Sequence, residues 1–124
     1  MKLHHSNQEG LNIIKAYTEN TVTINEETFT KSIIVQANYL EPAWLPQQVD
    51  ELDSAAIREL AKLDTEIILL GTGQQQRFPD RRLFMPLYDR SIGIEVMDTP
   101  AACRTYNILL EEGRTVTAAL LIGH

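Results

Sequence analysis

The sequence predicts a small single-domain α/β protein in which a β-meander leads into alternating helices and strands that pair as a parallel sheet. Three observations point there. Short segments rich in β-branched residues crowd positions 11 to 36, and from position 52 onward apolar runs alternate with stretches of helical period. The length, 124 residues, also fits one domain, whose usual size is roughly 100 to 150 residues and which can bury a core without disulfide or metal staples.

In chain order, LNIIKAYT, TVTIN and TFTKSIIVQ read as three strands, with Asn25, Glu26 and Glu27 turning the chain between the second and third. Alternation along Thr21–Ile24 sends Val22 and Ile24 to one face and the threonines to the other. The segment ANYLEPAWLP carries two prolines, each of which lacks an N–H and biases its predecessor away from helix, so it predicts an irregular crossing pinned by Trp44. A helix follows from Leu52, capped by Asp53 or Ser54, with Ala56, Leu60 and Leu63 on its apolar face and an end before Asp64.

EIILL, positions 66 to 70, is apolar enough to be covered on both faces and runs straight into Gly71-Thr72-Gly73. The second helix is expected from Pro79 to Tyr88, kinked or shortened by Pro86, and the strand IGIEVM follows. Asp98, Thr99 and Pro100 precede a third helix over 101–112, which Gly113 closes, and TVTAALLI forms the last strand. Strands separated by such helices pair in parallel through right-handed crossovers, so their carboxyl ends share one edge of the sheet. Residues 1–9 are expected to be a flexible terminus, with one domain over 10–124.

Composition removes several function classes. Hydrophobic residues are 44% and charged residues 23% of the chain, and no apolar run approaches the roughly 20 residues of a membrane span. A formal net charge of −6 repels phosphate backbones and argues against a nucleic-acid partner. The polar opening MKLHHSNQEG has neither signal-peptide nor transit-peptide character, so the expected location is cytoplasmic. The single cysteine, Cys103, excludes an internal disulfide framework and fits a reducing compartment.

The chemistry-bearing residues gather on two loops, GTGQQQRFP and DTPAACRTYN, at the carboxyl edge where open α/β sheets bind ligands. Gly71 and Gly73 allow a positive φ and bring N–H groups toward an anion, with Arg77 as counter-charge, or else they simply make a tight turn. The spacing is neither a dinucleotide fingerprint nor a P-loop, and no cofactor or metal is implied. Cys103 falls in the first turn of the expected third helix beside Arg104, which favours a thiolate, whereas a free cysteine is also a common small core residue. His4, His5 and His124 sit at the chain ends, too far to activate that sulfur. Glu95 and Asp98 can act as general acid or base, or can pair with Arg77 or Arg104 and cap the next helix. Trp44, Phe78 and Tyr106 are expected to be core anchors.

The strings LLGTGQQQRFP and GIEVMDTPAACRTYNILLEEGRTVTAALL resemble the Mth-type domain family of unknown function, whose members include a mitochondrial complex I assembly factor and an adipogenesis-associated protein. The matching positions are Gly71, Thr72, Gly73, Arg77, Phe78, Pro79, Glu95, Asp98, Thr99, Ala102, Cys103, Thr105, Tyr106, Asn107, Glu112, Gly113 and Arg114. The resemblance covers roughly residues 10 to 122, the first third in outline only. It implies a three-layer β/β/α domain in which the N-terminal meander packs on a mixed sheet whose other side carries helices. It also implies an assembly-factor-like binding module with a protein partner rather than an enzyme. The alternative reading is a small-molecule or anion site, with or without cysteine chemistry, in a cleft formed by Gly71, Thr72, Gly73, Arg77, Asp98, Cys103 and Arg104.

Overall fold

The computed structural model describes residues 10–122; the expected flexible segment 1–9 and the three histidines lie outside the described residues. Strands β1 (Ile14–Tyr17), β2 (Val22–Ile24) and β3 (Glu27–Phe29) form a small antiparallel sheet in the order β1-β2-β3. Asn25, at φ 54°, makes the left-handed turn that reverses β2 into β3. A second, five-stranded sheet contains β4 (Ile33–Gln36), β5 (Tyr39–Glu41), β6 (Ile67–Gly71), β7 (Gly93–Met97) and β8 (Val116–Leu120), in the order β5-β4-β8-β6-β7. Strand β6 pairs in parallel with β7 on one side and with β8 on the other, as the helical connections require. β4 and β5 extend the sheet antiparallel beyond β8.

Two segments depart from the sequence expectation. TFTKSIIVQ is two strands, because the chain leaves the small sheet at Thr30 and enters the large one at Ile33. Ser32 marks the crossing: its backbone N–H and its hydroxyl both donate to the Gln47 side chain, and its hydroxyl accepts the Ile122 N–H. The expected irregular crossing before Trp44 contains β5, a short hairpin partner of β4. Prolines begin only at Pro42, so three residues remain free to donate to the ladder.

Helix α1 (Ser54–Ala61) is capped by the Asp53 carboxylate, which accepts the Ala56 N–H, and it buries Ala56, Ile57, Leu60 and Ala61. One turn of 3-10 helix (Arg81–Phe84) leads into α2 (Met85–Asp89), with Pro86 in its first turn, where the missing N–H leaves no bond unmade. Helix α3 (Thr99–Glu111) starts two residues earlier than expected, because Asp98 is its cap and Pro100 sits in its first turn. Gly113, at φ 80°, closes it.

The strand order decides where these helices lie. The step from β6 to β7 and the step from β7 back to β8 run in opposite directions across the sheet, so two right-handed crossovers place α2 and α3 on opposite faces. On one face α1, α2 and Trp44 cover Ile68, Leu70, Ala119 and Leu121. On the other, α3 contributes Ala102, Cys103 and Tyr106 beside the small sheet, over Leu69, Ala118 and Leu120. The expected three layers are present, and α3 shares its layer with the meander. Trp44 is 1% exposed, and its indole N–H has no hydrogen-bond partner among the described residues.

The small sheet is tied to α3 by polar bonds. Asn107 Oδ1 accepts the Ile14 N–H at 3.1 Å and its Nδ2 donates to the Ile14 carbonyl at 2.7 Å, so one side chain supplies what a neighbouring strand would supply. The Tyr106 hydroxyl donates to the Asn12 carbonyl at 2.8 Å. Replacing Asn107 by alanine strands both Ile14 groups and should cost about 1–3 kcal/mol. Urea denaturation should show a lower midpoint at unchanged slope, and native-state amide exchange should quicken in β1 to β3 before β6 or β8.

Candidate functional site

The carboxyl ends of β6 and β7 are neighbours, so the Gly71 loop and the start of α3 face each other. Their connections leave toward opposite faces of the sheet, the arrangement that opens a crevice at a strand edge. Thr99 spans this crevice. Its Oγ1 accepts the Gly73 N–H at 2.8 Å and donates to the Leu121 carbonyl at 2.8 Å, while its own N–H donates to the Gly73 carbonyl at 2.7 Å. Gly71 makes this approach possible, because a Cβ there would stand 2.9 Å from Thr99 Oγ1 and 3.0 Å from Thr99 Cα. Gly73 serves the turn itself, at φ 94° with open space around it. Buried Thr72 donates its hydroxyl to the Gln75 carbonyl at 2.6 Å and accepts the Arg77 N–H, which curls the loop back on itself.

The remaining site residues go separate ways. Arg77 pairs with Asp50 at 2.8 Å, rather than with Glu95 or Asp98. Asp98 caps α3 by accepting the Ala101 N–H at 2.8 Å, one of the roles read for it from the sequence. Exposed Arg104 donates to the Tyr17 hydroxyl at 2.9 Å. Cys103 is 0% exposed and packs under the small sheet, and with α3 starting at Thr99 it lies beyond the first turn. Burial pushes its thiol up to about 12, against a smaller opposing pull from Arg104. Burial raises the Tyr106 phenol as well.

Phe78 corrects the expectation for the aromatics. Trp44 and Tyr106 are core, but Phe78 is 72% exposed. It follows the polar run Gln74–Arg77 in a loop, where no periodic pattern directs a side chain inward. A groove of about 540 Å³ lies on one side of it, walled by Val49, Leu52, Leu83 and Pro86. A second, of about 530 Å³, lies on the other, between Phe78 and Pro79 and the β7 residues Ile94 and Val96, with Phe84 and Tyr88 also lining it. Met85 and Tyr88 are also exposed, so apolar surface gathers around these grooves. The sequence carried one signal for this surface, the phenylalanine and proline that follow four polar residues.

Gly71→Ala should destabilise by about 1–3 kcal/mol through overpacking against Thr99. Iodoacetamide should modify Cys103 slowly in the folded chain at neutral pH, and Cys103→Ala should cost on the order of 1 kcal/mol, the low end of core truncations. The thiol ionises near 9.0 when free and at about 12 when folded, so its contribution to stability is complete below the first value and is lost as pH rises toward the second. Urea midpoints should fall over that range, less steeply for Cys103→Ala than for the parent.

Among known proteins, the family described as "Protein of unknown function (DUF498/DUF598)" matches residues 14–121. The human protein named NADH dehydrogenase [ubiquinone] 1 alpha subcomplex assembly factor 3 is 38% identical over 69 residues, which are 56% of this chain and 38% of that protein. The chain thus spans well under half the length of that relative. A crystal structure of a Bordetella parapertussis protein superposes with a TM-score of 0.86 at 34% identity, covering 91% of this chain and 97% of the other. A solution structure from Bordetella pertussis, described as a Mth938-like domain, gives a TM-score of 0.82 at 29% identity, with 98% and 92% covered. The chain belongs to the DUF498/DUF598 family and has the fold of the Mth938-like domains.

Proposed function

We propose that this chain is a non-enzymatic, assembly-factor-like module that binds a protein partner through the surface around Phe78. The observation that carries the reading is that aromatic side chain, 72% exposed between two grooves. Large exposed aromatics rimmed by polar groups are the usual anchors of protein interfaces. The relative's name, an assembly factor, supports a protein partner for the shared domain. Among the described residues no helix is long and apolar enough to cross a membrane, and a cytoplasmic setting suits the reading.

A second reading has its own observation. A groove of about 240 Å³ is lined by Thr72, Gly73, Gln74 and Arg77, together with Gln47, Gln48 and the acidic Glu19. These amides and the guanidinium suit a small polar ligand or anion. Asp98, Cys103 and Arg104 are not among the residues that line it, so in this reading the cysteine takes no part.

Quantitative affinity purification from the native cell should compare the parent with Phe78→Asp, whose exposed site leaves stability within about 0.5 kcal/mol. One or a few proteins should be retained by the parent and lost by the variant; equal recovery by both overturns the protein-binding reading. For the second reading, a phosphate titration should shift the Gly73 and Gln74 amide signals, and Arg77→Ala should weaken that response.

A further inference from the structure

We infer that the partner docks as an added strand: an extended, acidic segment laid along the open edge of β7. This rests on the protein-binding reading and specifies what binds and how.

Strand β7 ends the five-stranded sheet, and among the described residues nothing pairs with its outer edge. In a parallel ladder a residue directs its N–H and C=O to one side and the next residue directs them to the other. Gly93 gives its N–H to the Glu66 carbonyl and Met97 accepts the Thr72 N–H, so these two face β6. Ile94 and Val96 therefore face outward. The molecule already shows what such an edge accepts, because Gln76 Nε2 donates to the Val96 carbonyl at 2.9 Å, where a strand's N–H would stand. The Ile94 N–H and C=O and the Val96 N–H are left for an incoming backbone.

The groove beside this edge fits side chains of such a strand. Its walls are Ile94 and Val96 on one side and Phe78 and Pro79 on the other, with buried Phe84 and half-exposed Tyr88 between them. Alternate residues of an extended segment would enter it, which is how strand addition obtains affinity from the backbone and specificity from pockets.

Charge selects the segment. Residues 77–90 hold Arg77, Arg81, Arg82 and Arg90 against Asp80 and Asp89, a basic stretch in a chain of net charge −6. Asp50 engages Arg77 and Asp80 engages Arg82, whose hydrogen bonds hold the Asp80 carboxyl down to about 2. Arg90 donates to the Ala61 carbonyl. Exposed Arg81, on the groove, has no ion-pair partner among the described residues. Glu95 also borders the groove, but alternation along β7 sends its side chain to the face opposite that of Ile94 and Val96. The segment that satisfies Arg81 carries Asp or Glu between apolar residues.

The test uses a displayed library of random peptides of about ten residues, the length of a long strand. Peptides selected on the full chain are synthesised and their affinities measured against the parent, Arg81→Glu and Ile94→Pro. The proline removes an outward N–H that no bond among the described residues uses, a substitution edge strands tolerate. Gln76→Ala, which frees the Val96 carbonyl and trims one polar side chain from the groove, serves as a second edge variant should the proline disturb folding. Selected peptides should alternate apolar and acidic residues, bind both Arg81→Glu and Ile94→Pro about tenfold or more weakly, bind Gln76→Ala at least as well as the parent, and slow amide exchange at Ile94 and Val96. Basic or helically spaced peptides, or unchanged exchange at those two amides, overturn the inference. So does a concentration-dependent dimer abolished by Ile94→Pro, which gives the edge to a second copy. If Phe78→Asp loses the native partner while Arg81→Glu and Ile94→Pro keep it, strand addition fails and the protein-binding reading stands.

Discussion

Strand β6 lies between β7 and β8 and has to hide both of its faces. Ile68, Leu69 and Leu70 are each 0% exposed, with Leu69 directed to one face and its neighbours to the other. A sheet buried in this way needs a layer on either side, which parallel crossovers of one hand provide only when the strand order reverses. The order β8-β6-β7 is such a reversal. It puts α1 and α2 over one face, and α3 with the small sheet over the other. It also makes the carboxyl ends of β6 and β7 adjacent, so the contact between Gly73 and Thr99 and the open outer edge of β7 are two results of one constraint.

The loop at that crevice illustrates how a glycine-rich turn acquires a structural use. Gly71 permits Thr99 to approach, Thr99 ties the turn to the carbonyl of Leu121, and Thr72 ties it to Gln75 and Arg77. The backbone groups that would meet a ligand in a nucleotide-binding fold are here largely engaged within the protein. The polar tip, Gln74 to Gln76, is left outside, and Gln76 reaches over to β7.

Much of the fold was legible in the sequence because its signals are local. Apolar runs named β6 and β8, Asp53 and Asp98 announced two helices, and crossover handedness gave the parallel pairing. The split between β3 and β4 was not legible, since TFTKSIIVQ is uninterrupted by glycine or proline and the exit at Thr30 is set by which sheet can cover Ile33 and Val35. Cys103 read correctly as a candidate for burial, while the small apolar residues around it could not tell which layer would bury it. Phe78 departs from the sequence expectation because aromatic character predicts burial on average, and its exposure depends on the loop path after Thr72. The partners of Arg77 and Arg104, namely Asp50 and Tyr17, lie 27 and 87 positions away and carry no sequence signature.

Trp44 gives the molecule a built-in optical marker. It is the chain's one tryptophan, and it sits in the layer formed by α1 and α2, its indole buried and its N–H without a partner among the described residues. An indole so shielded from water emits at short wavelength, and contact with solvent moves that emission to the red. Fluorescence therefore watches one side of the central sheet only. Detachment of the small sheet from α3, on the other side, would pass unseen at this wavelength, so any gap between a tryptophan trace and a whole-chain signal measures how far the two layers part company.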